Sequence, residues 1–585
     1  MATHLVGAAA GSEAAEHALP VRRWNARRVG LALAGVAVLA LAVGVHAFRL
    51  AQTPGWDPQE GYNLDLAWNL LHWRLRLFGL SQAFAAHPPL FYLQLALLIH
   101  LFGYSIATIR ALAGVYAVLT CGVVLAFGRR VVGAGPALWA GLVFAGVPLF
   151  LENTRWGYSY AQLMLVGLLC LWATWRYLET RARRWLLVAA LLAGLAVLSD
   201  YEGLALVLFV ALVAWRVRWR DLGLTLSVGL GLPLIGLLAC FAVAPAVFVA
   251  DFAATFGRAA GGNFALQVVE WLVNYYGFVT LSPWVVLGLV GLALARPARA
   301  RVFLLVALAV LGAVVLKVRE VGLSLHTVVP LLPLLALGAG VALDAAVRLL
   351  YAGVRAYGPG AASPQRQHAG QRADSDAPRR QNESQRAYIR TPLRTVKSVR
   401  VSIGKLMRAR EPVAGPEASD MRAALLARAR NLLAALVVFV AVVSPLAIAL
   451  AVSVAGVATT LATPNDALLA TDPAAAQAAG AYVLAHERSG DLTLGSPQVV
   501  WPLDQPDDAA GQPRPLYAAD LLQTLAYSGQ PAAFYPGGLP RALWAFAVSL
   551  DRARYVIVDN LLRRLAAPGE VANLAPLLAT VEAWP

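Results

Sequence analysis

Trp56–Leu90 reads WDPQEGYNLDLAWNLLHWRLRLFGLSQAFAAHPPL, a polar interruption between two long apolar runs. It holds three carboxylates, Asp57, Glu60 and Asp65, and the turn His87-Pro88-Pro89. Outside it the chain is mostly hydrocarbon: 59% of the 585 residues are hydrophobic and 14% are charged, where a soluble domain carries about 25% charged residues. Apolar runs recur along most of the length, many near the roughly 20 residues that cross a bilayer as a helix. The composition implies an all-α polytopic membrane protein and places the stretch from residue 51 to 88 in the first external loop.

Charge sets the expected orientation. The chain carries a net +16, unevenly spread: residues 351–430 hold sixteen Lys/Arg against six Asp/Glu, and residues 463–585 hold seven against twelve. Basic flanks stay on the cytoplasmic side, so the basic stretch is expected inside and the acidic tail outside. Juxtamembrane basic segments follow topology and anionic lipid, which makes membrane lipid, not nucleic acid, the expected partner. Arg22, Arg23, Arg27 and Arg28 hold the N-terminal end inside. The first apolar run reads as an uncleaved helix, since a signal peptide has a shorter basic region and a shorter apolar core.

Five parts follow: a polar cytoplasmic tail, 1–28; a membrane module, 29–348; a basic linker poor in apolar periodicity, 349–428, whose composition cannot bury a core; a final transmembrane segment, 429–462; and an external part, 463–585. In the last, Ala474–His486 reads as a helix, Leu492–Leu494 and Val499–Trp501 as strands, Ala519–Tyr527 as a helix and Tyr555–Asp559 as a buried strand ending in an acid. This alternation predicts a small extracytoplasmic α/β domain. About eleven to thirteen spans are expected. Their parity stays open, because 88–103 and 106–128 give two apolar segments where the sidedness of His87 and Arg129 demands an odd number.

Tyr62–Leu77 has Leu64, Ala67, Trp68, Leu71 and Leu75 at helical spacing, with Trp73, Arg74 and Arg76 beside them, and predicts an amphipathic helix on the bilayer surface. Carboxylates beside it have an ordinary use, solvated or paired with Arg74 or Arg76. Their company favours chemistry: Trp56 and Tyr62 flank them, and prolines at the start of the next helix make a rigid turn. A carboxylate in such a partly desolvated pocket can act as a general base on a hydroxyl. The three cysteines, Cys121, Cys170 and Cys240, lie in apolar runs and read as core residues. Neither a phosphate loop nor an HExxH motif is present.

Acid-Glu-Gly-Tyr, an Ala-Trp-Asn-Leu-Leu helix, then His-Pro-Pro-Leu opening a helix that ends Leu-Phe-Gly-Tyr-Ser before Arg110 resembles the GT-C glycosyltransferases that use lipid-phosphate sugars. The likeness is to the branch of protein O-mannosyltransferases and aminoarabinose transferases, over roughly residues 29–345. It implies a GT-C fold, a polyprenyl-phosphate sugar donor, a protein, lipid or glycan acceptor, and an Asp-Glu pair on the first external loop whose Asp is the base. This chain has Gln59-Glu60 there, and an amide cannot take the proton. The base is then Glu60, or Asp57 in its place, or the activity is lost; Asp65, a turn further on, is expected to face the interface.

The same resemblance points to donor contacts at Tyr62, at His87, at Arg155 and Tyr158 in ENTRWGY, and at Lys317, Arg319 and His326 on a late loop. Arg155 equally suits an interface anchor, and His87 a turn cap. Asp200–Gly203 reads as a polar turn. The implied reaction is a single displacement with inversion. It needs no tightly held metal, although Asp57 and Glu60 with a further acid are formal candidates for a divalent ion. The competing reading is a non-catalytic or degenerate relative that binds or transports a lipid-linked sugar or serves assembly. Transporters show matched inverted repeats, and none is visible in this sequence.

Overall fold

The computed structural model describes residues 26–72, 88–147, 151, 154–243, 282–318, 330–357, 471–503, 516–518 and 553–565, with a few isolated positions besides. Helices dominate: α1 Ala26–Ala47, α2 Pro58–Leu71, α3 Pro89–Phe102, α4 Ile106–Val131, α5 Ala134–Gly146, α6 Ser159–Thr180, α7 Arg183–Ser199, α8 Leu204–Arg218, α9 Asp221–Val243, α10 Ser282–Leu294, α11 Ala298–Val318 and α12 Leu332–Tyr357. Five of the described helices are long and apolar enough to cross a membrane. Their outer faces carry exposed Leu33, Val36, Leu119, Leu234, Ile235 and Leu238, the surface that lipid rather than water covers. All three cysteines are buried and unpaired.

Contacts divide the chain into two units, residues 1–344 with 449–585, and residues 345–448. Of the second, only the last turns of α12 are described. The first has two chemically distinct ends. At one, Arg130 pairs with Glu179 at 2.7 Å, Arg183 with Asp221 at 2.9 Å, and Arg299 lies over Trp175. At the other lie α2, α3 and the start of α4, where Arg110 meets Glu60 at 2.6 Å. Twenty residues of α4 separate Arg110 from Arg130, about 30 Å of helix rise, the thickness of a hydrocarbon core.

α3 is one of the shorter apolar helices. It has 14 residues, about 21 Å of rise, less than the thickness of the bilayer core. Both its ends pack against α2. Tyr92 in its first turn donates to Asn63 of α2 at 3.0 Å, and Tyr104, just past its end, packs against Trp68 of α2 at 5.1 Å. Phe91, Leu95 and Ile99 face the core, while Leu93, Leu97 and Leu101 point outward.

The predicted surface helix begins earlier and stops sooner than its periodicity suggests. α2 starts at Pro58 because Asp57 caps it, accepting from Gln59 N at 2.8 Å, while Glu60 reaches back to Asp57 N at 3.2 Å. This reciprocal capping box satisfies two donors. The helix ends at Leu71, and Trp73, Arg74, Arg76 and Leu77 lie outside the described residues.

In the C-terminal part, α13 Pro473–His486 matches the expected helix. Strands β1 Leu492–Gly495, β2 Leu516–Ala518 and β3 Ala553–Ile557 form a parallel sheet in the order β2-β1-β3. Pro497–Val500 is a short helix, α14, and not the predicted strand. Pro497 occupies its first position, where a missing N–H costs nothing, and Val499 and Val500 are buried. Asn560–Leu565 forms α15, and the helix expected over 519–527 lies outside the described residues.

Small residues let helices touch. A Cβ on Gly338 of α12 would lie 2.0 Å from the carbonyl oxygen of Gly288 on α10, and one on Gly291 would lie 1.7 Å from that of Gly338. Gly338→Leu is therefore expected to lower the thermal midpoint of the detergent-solubilised protein, by an overpacking cost of at least 1–3 kcal/mol, roughly. Gly30→Leu, on an open face, should leave the midpoint unchanged in the same melt.

Candidate active site

Asp57 and Glu60 stand on the first turn of α2, and their environments differ. Glu60 is fully buried. Its Oε1 accepts from Arg110 Nε at 2.7 Å and from Gly157 N at 2.9 Å; its Oε2 accepts from Arg110 Nη2 at 2.6 Å and from Asp57 N at 3.2 Å. A carboxylate has about four lone-pair positions, and donors on the protein occupy them all. Asp57 keeps part of its side exposed. It accepts from Gln59 N and from the Tyr158 hydroxyl, and desolvation pushes its carboxyl up to about 6, with the Tyr158 hydrogen bond opposing and the nearby Glu60 charge adding to the rise. Tyr158 is held well above the usual phenol range by burial and by Asp57. The two acids that the sequence left as alternatives thus differ: protein donors fill the lone-pair positions of Glu60, and Asp57 is the less buried residue of the two.

Arg110 is the counterpart of Glu60. It is wholly buried, and besides the two bonds to Glu60 it donates from Nη1 to Leu50 O at 3.1 Å and Pro54 O at 2.8 Å, and from Nη2 to Gly55 O at 2.9 Å. All five of its N–H groups are used, three of them to shape the loop before α2.

Arg155 does similar work on the backbone at the end of α1 and just after it. It too is fully buried. Its Nη2 donates to Phe48 O at 2.6 Å and Thr53 O at 2.6 Å, its Nε to Thr53 O at 3.1 Å, and its Nη1 to Val45 O. Burial, with Arg110 nearby, lowers it to about 10, so it stays protonated at neutral pH. A guanidinium spread over these carbonyls has no fork left for an anion.

Other expected residues fall as follows. Tyr62 is partly exposed on α2. His87, Arg319 and His326 lie outside the described residues, and Lys317 belongs to the last turn of α11 without a described side chain. Asp65 is buried and accepts from Asn69 at 2.9 Å, so it does not face the interface. Asp200 caps the turn Tyr201–Gly203 and accepts from Glu202 N at 3.1 Å. Among the described residues no group of three His, Cys, Asp or Glu is arranged to hold a metal ion.

A contact not foreseen from the sequence closes the site from the other end of the chain. Trp56 and Thr471 exchange two backbone hydrogen bonds, both 3.0 Å. Trp501 stacks 5.2 Å from Trp56 and 5.3 Å from Tyr104. α2 lies so close to α14 that a Cβ on Gly61 would sit 2.4 Å from Pro497 O.

With this geometry in view, residues 86–248 match the family model described as dolichyl-phosphate-mannose-protein mannosyltransferase. That segment, about a quarter of the chain, is similar to a family of glycosyltransferases. It includes Arg110, Arg155 and Tyr158 and begins after Asp57 and Glu60. Solved structures similar to this chain include ArnT from Cupriavidus metallidurans bound to undecaprenyl phosphate, at 16% identity, TM-score 0.48, covering 86% of this chain and 92% of that one. They also include the archaeal oligosaccharyltransferase AglB from Archaeoglobus fulgidus with an inhibitory peptide and a dolichol-phosphate, at 12% identity, TM-score 0.43, 81% and 64%. A third is the Saccharomyces cerevisiae Pmt1-Pmt2 complex bound to its sugar donor, at 17% identity, TM-score 0.31, 45% and 36%. Comparison with curated proteins gives no match. The chain is a multi-pass membrane protein.

Removing one partner of a buried ion pair leaves an uncompensated charge. Arg110→Met is expected to destabilise the folded protein by about 3–5 kcal/mol, read as a lower midpoint in thermal unfolding. The double variant Arg110→Met/Glu60→Leu should recover only part of that loss, because the carbonyls of Leu50, Pro54 and Gly55 remain without their donor.

Proposed function

We propose that this glycosyltransferase moves a sugar from a polyprenyl-phosphate donor to an acceptor hydroxyl on the extracytoplasmic face, with Asp57 as general base. The observation that carries the reading is the contrast at the start of α2. Glu60 is saturated by Arg110 and Gly157, while two residues from Gln59, the amide in the expected base position, Asp57 is accessible, desolvated and bonded to Tyr158. A base near pH 6 is well matched to neutral operation.

In this reading Asp57 removes the acceptor proton. The acceptor oxygen attacks the anomeric carbon in line, and the polyprenyl phosphate leaves with inversion. Both buried arginines are engaged by protein oxygens, so cations for the leaving phosphate come from the end of α11 and the residues after it, at Lys317, Arg319 or His326, with His87 and Tyr62 near the sugar. Such donors aimed at developing charge are the main source of rate in transfer reactions of this kind. The acceptor is a protein, lipid or glycan hydroxyl.

The same reading assigns sides. Arg110 and the first loop stand outside, and Arg130, Glu179 and Arg183 stand on the cytoplasmic side with the basic linker 349–428. α2 and α3 rest in the external interface, with Leu93, Leu97 and Leu101 toward lipid. Residues 429–462 make the final crossing, and 463–585 form an extracytoplasmic α/β domain. The parallel sheet β2-β1-β3 supports that fold.

Transfer of radiolabelled sugar from a polyprenyl phosphate, in membranes or nanodiscs, tests this. Asp57→Asn keeps a residue that caps a helix as well as aspartate does and removes only the proton acceptor; it should cost about 10²–10⁴-fold in kcat with the melting midpoint unchanged. Wild-type activity should fall as the pH drops through about 6, where Asp57 takes up its proton, and should level above it. Full activity in Asp57→Asn would remove the base from the mechanism. Donor binding without turnover by wild type would favour a non-catalytic relative.

A further inference from the structure

The C-terminal segment contains a buried acid that the transfer reaction does not use. Asp559 follows β3 and is 9% exposed. Its Oδ1 accepts from Ser496 Oγ at 2.8 Å and Leu562 N at 2.9 Å; its Oδ2 accepts from Gln498 Nε2 at 2.8 Å and Thr471 Oγ1 at 3.2 Å. Four donors from three places in the segment converge on one carboxylate, and the acid therefore ties the start of α13, the β1–α14 junction and α15 together. Burial raises its pKa, with those hydrogen bonds opposing.

Thr471 links that hub to the first loop. Its hydroxyl bonds Asp559, and its backbone exchanges two hydrogen bonds with Trp56, the residue before Asp57. Gln498 also reaches Thr471 Oγ1, at 3.4 Å. On the far side of Trp56, the indole donates to Ala51 O at 2.9 Å. The loop before α2 is thus held twice: from the bundle by Arg110 and Arg155, and from the C-terminal segment through Thr471.

We propose that Asp559 is a positioning residue for the transfer reaction, holding the Thr471–Trp56 bridge so that Asp57 stays in its desolvated place beside Tyr158. It touches neither sugar nor acceptor and acts through the backbone of residues 56 and 57. The proposal rests on Asp57 being the base. The charged and titratable groups facing Asp57 are Tyr158, Glu60 and Arg110; none of them belongs to the C-terminal segment, so Asp559 acts on Asp57 through position and not through its charge.

Asp559→Asn in the full chain, reconstituted in nanodiscs, tests it with two readouts. Hydrogen–deuterium exchange of the peptides covering residues 51–60 should speed up, while α4 and α6 keep their protection. kcat should fall about tenfold, the rate equivalent of one lost hydrogen bond, with KM for the donor unchanged. The acid limb of the pH profile should move from about 6 toward the ordinary carboxylate range, since a released loop lets water back to Asp57. Asp559→Asn/Gln498→Glu restores one donor facing one acceptor and should recover both readouts. Asp491→Asn, on an exposed pair with Arg554, should alter neither.

If Asp559→Asn does not fold, Thr471→Val keeps the backbone bridge and removes only its tie to Asp559, and should move both readouts the same way by less. A lower rate with an unmoved acid limb and unchanged exchange would overturn the positioning role and leave the base in place. Absence of transfer by wild type under all donors would overturn the base and the positioning role together.

Discussion

Arg110 has five N–H groups, and each meets an acceptor: two on Glu60 and three on the carbonyls of Leu50, Pro54 and Gly55. A guanidinium buried at a membrane surface is costly unless it is paired and hydrogen-bonded. The chain meets that demand by wrapping its first loop around the charge. Loop shape, the entry of α2 and the location of Asp57 then follow from one side chain on α4. Arg155 repeats the device on the carbonyls of Phe48 and Thr53. Two buried cations serve as templates for irregular backbone, whose polar groups would otherwise be unsatisfied.

The membrane module was legible because the apolar runs are long and their basic flanks regular. Residues 88–103 are as apolar as a span, yet the helix they form has 14 residues and packs on α2 through Tyr92 on Asn63 and Tyr104 on Trp68, contacts that hydropathy does not carry. In the C-terminal part, Val499 and Val500 carry strand propensity, yet Pro497 begins a helical turn and the local geometry overrides the preference.

At the candidate site, the acids, the departure at Gln59 and the aromatic Tyr158 could be read from residue types. Their roles could not. Glu60 and Asp57 are three residues apart and chemically alike; the difference is made by Arg110, fifty positions away, and by Gly157 N. A lone arginine within an otherwise uncharged apolar run was the available signal, since charge at such a position rarely lacks a partner. Thr471, Ser496 and Gln498 carried no signal at all, because ordinary polar residues become informative only when a fold gathers them on one acid.

The antiparallel bridge between Trp56 and Thr471 has a consequence in time. More than 400 residues separate its two halves, and synthesis runs from the N-terminus. α1 through α12 can be inserted and packed while residue 471 has yet to be made. The loop that carries Asp57 therefore lacks its second restraint until residue 471 has been made. A chain truncated before that point keeps its helices and loses the bridge that ties this loop to the C-terminal segment.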